Sequence, residues 1–454
     1  MNQAEEREVE RLTQPLPTLI VGLGKSGLSC AQFLARQGES VAVTDSRISP
    51  PGLNVLHEQL PDVPVFVGGF DEAAFDAAQR LIISPGVSLQ QPLVQRALAR
   101  GVEVSGDIAL FASCAQAPIV AITGSNGKST VTMLLGEMVK RSGRKVLVGG
   151  NIGVPALDLL EQPVPDLYVL ELSSFQLETA TAINAAVSVV LNISEDHMDR
   201  YKDLNDYSRA KQAVFNGAGI RVLNRDDPRV AAMAESGKQQ RWFTLGIPDE
   251  GEYGLCEWDD ELWLACGQQR LMRAADVGMV GRANLANGLA ALAMGDALGL
   301  SREAMTATLA NFTGLAHRCQ LVMHRNGSAW YNDSKATNVG ATLAAVNGFE
   351  EKLVLIAGGD GKGADFAPLH AIGDKLSALI VIGKDGDKVA AVLQDSVACQ
   401  RANSMTQAVE MASKLAAPGE SVLLSPACAS FDMFDGFEAR GEQFINAVRG
   451  LSNG

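Results

Sequence analysis

Three groups of residues in this chain have types and spacings that suit work on phosphate. In Thr123-Gly-Ser-Asn-Gly-Lys-Ser-Thr130, two glycines, a lysine and several hydroxyl residues follow the apolar run Ile119–Ile122. A glycine-rich turn between strand and helix gathers backbone N–H groups around phosphate oxygens. A lysine there adds positive charge, and a hydroxyl can reach Mg2+. Strict Walker spacing would need glycine at position 122, where the chain has Ile122, so the loop is a variant of that pattern. In Leu19-Ile-Val-Gly-Leu-Gly-Lys-Ser-Gly-Leu28, Gly22, Gly24 and Gly27 stand in G-x-G-x-x-G spacing, and Asp45 closes the next apolar run. Such a turn lets backbone approach a diphosphate, and Asp45 could accept a hydrogen bond from a ribose or a base. Taken alone, it admits a nicotinamide dehydrogenase or a tight turn with no ligand. The third group consists of polar strand ends: Glu171 after Tyr168-Val-Leu, His197 in Leu191-Asn-Ile-Ser-Glu-Asp-His-Met-Asp199, and Asn224-Arg-Asp-Asp-Pro228. Carboxylate and imidazole beside a phosphate loop suit a divalent metal. In isolation, His197 would read as a hydrogen-bonded structural histidine.

Such residues need strand ends to hold them. The chain alternates short β-rich apolar runs with Ala/Leu-rich helical patterns almost from end to end, which predicts parallel α/β units. Strands are expected at Thr18–Val21, Ser40–Thr44, Leu81–Ile83, Ile119–Thr123, Lys145–Val148, Leu167–Glu171, Ala186–Asn192, Arg221–Leu223, Leu353–Ala357, Ala378–Ile382 and Ser421–Leu424. Between Asp249 and Met272 the pattern changes, and the residues around Asp259-Asp260 predict an appended antiparallel hairpin. Joints near Gly106–Ala117 and Asn311–Leu315 give three α/β domains over residues 1–106, 107–314 and 315–454. The first is expected to be Rossmann-like, the second of P-loop ATPase type, and the third Rossmann-like again.

The 454 residues are 47% hydrophobic and 20% charged, which supplies several cores and rules out a disordered chain. Lys and Arg number 38 against 52 Asp and Glu, a formal charge of −14. An acidic surface repels polyanions, so nucleic acid is not an expected partner, and an anionic substrate must meet its positive charge inside a cleft. Seven scattered cysteines with no C-x-x-C pair argue against a disulfide framework and a cysteine-rich zinc site. Met1 to Arg11 is charged, unlike a signal peptide, and the apolar runs fall well short of the roughly 18–20 residues a membrane helix needs. A cytoplasmic protein without membrane insertion is expected.

Together, the phosphate loop, Glu171-Leu-Ser-Ser-Phe-Gln-Leu177, Asn192-x-Ser-x-Asp-His-x-Asp199 and Tyr207-Ser-Arg-Ala-Lys211 resemble the Mur ligases, the ATP-dependent amino-acid-adding enzymes of peptidoglycan synthesis. Asn284-x-x-Asn287, His317-Arg318, Asn332-Asp-Ser-Lys-Ala-Thr-Asn338, Gly358-Gly-Asp-Gly-Lys-Gly-Ala-Asp-Phe366 and Ser425-Pro-Ala-Cys-Ala-Ser-Phe-Asp432 extend the resemblance over almost the whole chain. The last two segments look like the branch that joins D-glutamate to UDP-N-acetylmuramoyl-L-alanine. Members adding diaminopimelate or lysine are expected to differ in the third domain. A dehydrogenase would leave the phosphate loop idle. A nucleotide sensor without turnover would have no need of Lys128, Glu171, His197 and Lys211 together.

The resemblance implies that Ser26, Asp45, Ser46, Arg47, Ser84 and Gly86 line a pocket for the UDP end of the substrate, with no matched role for Lys25. Gly124, Ser125, Asn126, Gly127, Lys128, Ser129 and Thr130 are implied to cradle ATP phosphates. Asn284 and Asn287 would read adenine, Asp333 would meet the ribose and Arg318 the phosphates. Asn151 and Ser173 are implied near the muramoyl-alanine end. Ser129, Glu171 and His197 are the implied ligands of Mg2+, two ions in all, joined by Lys211 as a carbamate. Thr337, Lys362, Ser430 and Phe437 are implied around D-glutamate, and Lys128, His197, Lys211, Arg318 and Lys335 as the catalytic group. The implied enzyme is a monomer that works through an acyl phosphate.

Overall fold

The computed structural model describes residues 16–451, so the charged stretch Met1 to Arg11 lies outside the described residues. Three sheets organise the chain. The first is parallel, in the order Val65–Val67, Val41–Asp45, Leu16–Val21, Ala78–Ile83, Glu103–Ser105. The second runs Val146–Gly150, Leu167–Glu171, Ile119–Thr123, Val187–Val190, Ile220–Asn224, Gln239–Phe243 and Tyr253–Trp258, all parallel. It closes with Glu261–Cys266 and Gln269–Arg273 antiparallel. The third opens on the hairpin Gln320–Arg325 and Ser328–Asn332 and continues parallel through Ser421–Leu424, Leu353–Gly358, Leu376–Ile382 and Cys399–Arg401.

The strand Ile119–Thr123 shows why these runs become central strands. All five of its residues are buried, so both faces are covered, and the continuous apolar run Ile119–Ile122 suits that better than alternation. It lies between Leu167–Glu171 and Val187–Val190, so the chain leaves it in one direction and later returns on the other side. Leu16–Val21 and Leu353–Gly358 occupy the same kind of place in their own sheets. Open α/β sheets form their ligand crevices at such reversals, outside the carboxyl ends of the strands. Gly22, Gly124 and Gly358 sit at those three points.

The two seams between domains are unlike. One continuous apolar cluster runs from Ile20 and Leu34 through Phe111 to Tyr168 and Phe215, so the first and second domains share a core. Across that seam the helix Lys25–Arg36 packs against the short helix Ala156–Glu161. The third domain keeps cores of its own around Leu355 and Ile356. Polar bonds link it to the second: Arg318 Nη2 donates to Ser129 Oγ at 2.6 Å, and Asn338 Nδ2 donates to Asn126 Oδ1 and to Asp196 Oδ2, each at 3.3 Å.

Candidate active site

The phosphate loop is shaped by two left-handed glycines. Gly124 has φ 152° and Gly127 φ 84°. A Cβ on Gly124 would stand 2.9 Å from Leu191 Cβ, and one on Gly127 would stand 2.3 Å from Asn287 Oδ1. Glycine is required at both by conformation and by space. The neighbouring loop holds the turn: Asn126 N–H donates to Asn192 Oδ1 at 2.8 Å, and Ser125 Oγ donates to Ser194 O at 2.9 Å. The helix Lys128–Arg141 starts directly behind, its first N–H groups without intrahelical acceptors. Lys128 Nζ donates to Gly124 O and Ser125 O, each at 2.8 Å. Lys211 Nζ, from the helix Leu204–Gln212, donates to the same Gly124 O at 2.9 Å.

Two amines on one carbonyl, with little water, is an unfavourable arrangement if both are charged. Lys211 is 1% exposed, and burial, then the Lys128 charge, pushes its pKa well below the ordinary lysine value. Its Nζ lies 4.6 Å from the centroid of Tyr207. Glu171 is also buried, where its strand ends. One carboxylate oxygen accepts from Asn151 Nδ2 at 2.7 Å, and the other, Oε2, is buried without a partner. His197 sits at φ 58°, and burial lowers its pKa so that the neutral imidazole is favoured.

The third domain supplies the opposite wall of this central cavity of about 460 Å3, which Lys335, Thr337, Lys362, Ser430 and Phe437 line together with Ser129, Glu171, Ser173 and His197. Lys335 Nζ lies 3.8 Å from the Phe437 ring centroid, and its pKa is lowered to about 8 by burial, then by the charges of Arg318 and Lys128. Ser430 is buried, whereas Lys362 is exposed at the rim in a left-handed turn, φ 51°.

Two further crevices adjoin. In the first, Asn284 and Asn287 stand with Gly127, Thr130, Arg318 and Asp333 between the second and third domains. Asn287 Nδ2 donates to Asn284 Oδ1 at 3.1 Å, so the pair acts as one unit on a helix face. Asp333 accepts from Ser425 Oγ at 2.9 Å and from Cys319 N–H at 3.1 Å, and burial raises its pKa to about 7. The second lies where the first domain faces the second domain and gathers Ser26, Asp45, Ser46, Arg47, Ser84 and Gly86, with Lys25 and Phe70, against Gly150, Asn151 and Gln176. Asn151 lines both this crevice and the central cavity. Asp45 is not a free acceptor. One oxygen accepts from Leu23 N–H at 2.7 Å, and the Arg47 guanidinium grips both oxygens at 2.7 and 2.9 Å. Its part is to close the turn and aim Arg47. Gly27 belongs to the same turn, since a Cβ there would lie 1.9 Å from Gly22 O.

The comparisons with known proteins agree with one another. Residues 17–106 match the Mur ligase MurD-like N-terminal domain, 122–295 the Mur ligase middle domain, and 317–428 the Mur ligase glutamate ligase domain. This chain is a Mur ligase. It is 54% identical over 435 residues to the UDP-N-acetylmuramoylalanine–D-glutamate ligase of Nitrosococcus oceani, covering 95% of this chain and 96% of that protein. It is 50% identical to the enzyme of the same name from Marinobacter nauticus, covering 96% and 98%. In fold it is similar to MurF from Acinetobacter baumannii, with TM-score 0.60 at 18% identity over 95% of this chain and 91% of the other. A pseudomurein peptide ligase type C from Methanothermus fervidus gives TM-score 0.59 at 18% identity, covering 95% and 99%.

As a Mur ligase, the protein is an ATP-dependent amide ligase, and its family uses ATP with Mg2+. The donors in the central cavity fit that ion. Glu171 Oε2 is an orphaned buried carboxylate oxygen, and His197 and Ser129 face the same space, the Ser129 hydroxyl accepting from Arg318 and the His197 imidazole standing 3.7 Å from Asp196 Oδ2. Among the described residues no group of three His, Cys, Asp or Glu side chains forms a ready-made cage.

Sequence reasoning missed two residues of this Mur ligase that organise the site. Asn338 lies in the quoted Asn332–Asn338 motif, but its bonds to Asn126 and Asp196 cross a seam that no spacing announces. Arg440 is fully buried and ties the Lys335 and Ser430 loops together: Nη2 donates to Ser334 O at 2.6 Å, Nε to Ser334 Oγ at 2.9 Å and Nη1 to Cys428 O at 3.0 Å. In sequence it is an ordinary arginine in an amphipathic helix.

Proposed function

We propose that this Mur ligase joins D-glutamate to UDP-N-acetylmuramoyl-L-alanine with cleavage of ATP, as a cytoplasmic monomer built from domains 1–106, 107–314 and 315–454. The observation that carries the reading is the position of Asn151 between two cavities. One elongated molecule can lie with its nucleotide end on the first domain and its carboxylate beside Lys128 and Lys211. Ser26, Ser46, Arg47, Ser84 and Gly86 would receive the UDP end, with Asp45 acting through the Arg47 it holds, and Asn151 and Ser173 the muramoyl-alanine end. Asn284, Asn287 and Asp333 would take the nucleoside of ATP. The names of the Nitrosococcus oceani and Marinobacter nauticus relatives support the same substrates.

In the first step an alanyl carboxylate oxygen attacks the γ-phosphorus, the bond to the bridging oxygen breaks, and ADP leaves. This chemistry asks the protein for positioning and charge neutralisation, which Lys128, Arg318 and the loop N–H groups supply. Ser129, Glu171, His197 and a carbamate on Lys211 would hold Mg2+, two ions in this reading, which would add charge neutralisation. In the second step the neutral amine of D-glutamate bonds to the acyl carbon. The resulting tetrahedral intermediate expels phosphate, and the nitrogen gives up a proton. Lys335, with its pKa lowered to about 8, is suited to take that proton. An ADP-release assay with the UDP-substrate tests the reading: D-glutamate should support turnover, and L-glutamate and diaminopimelate should not.

Two further results are expected. Lys362→Ala and Ser430→Ala should raise the apparent KM for D-glutamate far more than that for ATP, because both line the third-domain wall and neither touches the Asn284–Asn287 crevice. An unchanged D-glutamate KM in both variants would remove them from the site. The polar second seam also makes the third domain the part expected to swing. Small-angle scattering should show a more compact particle with nucleotide and UDP-substrate bound than without. Identical curves at saturation would mean a preformed site.

A further inference from the structure

Arg200 belongs to none of the groups above, yet it touches two of them. Its side chain is 13% exposed. Nη1 donates to Pro85 O at 3.0 Å and Nη2 to Val87 O at 3.1 Å. Those carbonyls belong to the segment Ser84–Val87, a wall of the first-domain crevice. On its other side the guanidinium carbon lies 4.3 Å from the centroid of Phe175, and that ring meets His197 edge-on at 4.7 Å. Arg200 and His197 are joined through the backbone as well, since Arg200 N–H donates to His197 O at 2.9 Å.

The charge is compensated where it is buried. Glu178 pairs with Arg200 Nη2 at 2.7 Å and accepts from Tyr201 OH at 2.5 Å. A planar, forked cation donates to two carbonyls and a carboxylate from fixed positions while its face stacks on a ring, a geometry that the compact ammonium of a lysine does not reproduce. His197 stands at φ 58°, a backbone conformation that a residue with a side chain holds only when its surroundings impose it. Phe175 and the turn anchored by Arg200 are those surroundings.

We propose that Arg200 is a positioning residue that couples filling of the first-domain crevice to the placement of His197 in the central cavity. The inference rests on the reading that the UDP end occupies that crevice. A ligand that orders Ser84–Val87 fixes the two acceptor carbonyls, which holds Arg200 against Phe175 and Phe175 against His197. Linkage makes the effect reciprocal: nucleotide with Mg2+ tightens UDP-substrate binding by the factor with which UDP-substrate tightens nucleotide binding.

Calorimetry on the full chain tests this. The Kd of a non-hydrolysable ATP analogue with Mg2+ is measured with and without saturating UDP-N-acetylmuramoyl-L-alanine. In the wild-type protein the second ligand should tighten binding about fivefold or more, and in Arg200→Ala that ratio should fall to about one while each ligand's separate affinity stays within about threefold. Arg200→Lys, which keeps the charge and fewer donors, should give an intermediate ratio and stands in if the alanine variant does not fold. A wild-type ratio in the folded variant, or a ratio of one in the wild-type protein, overturns the proposal. Failure of the wild-type protein to bind the UDP-substrate at all would instead overturn the reading of the crevice.

Discussion

Replacing Lys128 by alanine is expected to lower ADP formation about a thousandfold, the scale on which removal of a preorganised donor at developing charge is felt. UDP-substrate affinity should stay nearly unchanged. The division follows from geometry: Lys128 faces the central cavity and closes its own loop on Gly124 and Ser125, whereas the first-domain crevice contains no part of that loop. The alanine leaves the glycine turn intact, because Asn192 and Ser194 hold it independently. ADP release and calorimetric titration of the UDP-substrate would be run on the same preparation. Parallel loss of both in a folded variant would count against separate sites for phosphate and UDP.

Lys211→Ala should be about a hundredfold less active or worse, on the scale of losing a group that tunes a metal site. Acetate or formate should restore part of the activity. The reason is electrostatic. Lys211 and Lys128 share the carbonyl of Gly124 in a buried setting, and burial together with the Lys128 charge favours the neutral amine on Lys211. A neutral amine can add CO2, releasing a proton and leaving a carbamate, an anionic oxygen group that the Lys128 charge attracts. The neutral fraction falls as pH falls. Wild-type enzyme stripped of CO2 at mildly acidic pH should therefore lose activity and regain it with bicarbonate. Rescue by a short carboxylate separates this chemistry from a simple loss of packing beside Tyr207. Near-normal turnover of Lys211→Ala would sink the carbamate proposal and leave the ligase standing.

Central strands were legible because burial on both faces leaves continuous apolar runs; Ile119–Thr123 and Leu167–Glu171 stand where expected, residue for residue. The appended hairpin turns at Asp259-Asp260, both left-handed at φ 55° and 60°, and adds a third strand, Gln269–Arg273, whose charges hid it. Val65–Val67, Glu103–Ser105 and Cys399–Arg401 are three-residue edge strands with partly exposed side chains, too short to show a period. Gln320–Arg325 and Ser328–Asn332 had a usable sign, since Asn326-Gly327 is a strong hairpin turn dipeptide. In the site, motifs located the phosphate loop, Glu171 and His197. They could not show that Asp45 is spent on Leu23 and Arg47, or that Lys25 and Phe70 face the same crevice. Those facts depend on which side chains meet across long separations.

The unlike seams also bear on how such an enzyme can diversify. The groups proposed to receive the carboxylate substrate are fused to one another through the core that Ile20 and Leu34 of the first domain share with Leu157 and Tyr168 of the second, so a change on either side of that seam disturbs both. The wall proposed to meet the incoming amine hangs on a sheet with its own cores, attached by bonds such as those of Arg318 and Asn338. Inheritance can therefore act on the two halves separately. A lineage can retune residues beyond the second seam to accept another amine, and so alter the peptide it builds, while the activation chemistry upstream passes on intact.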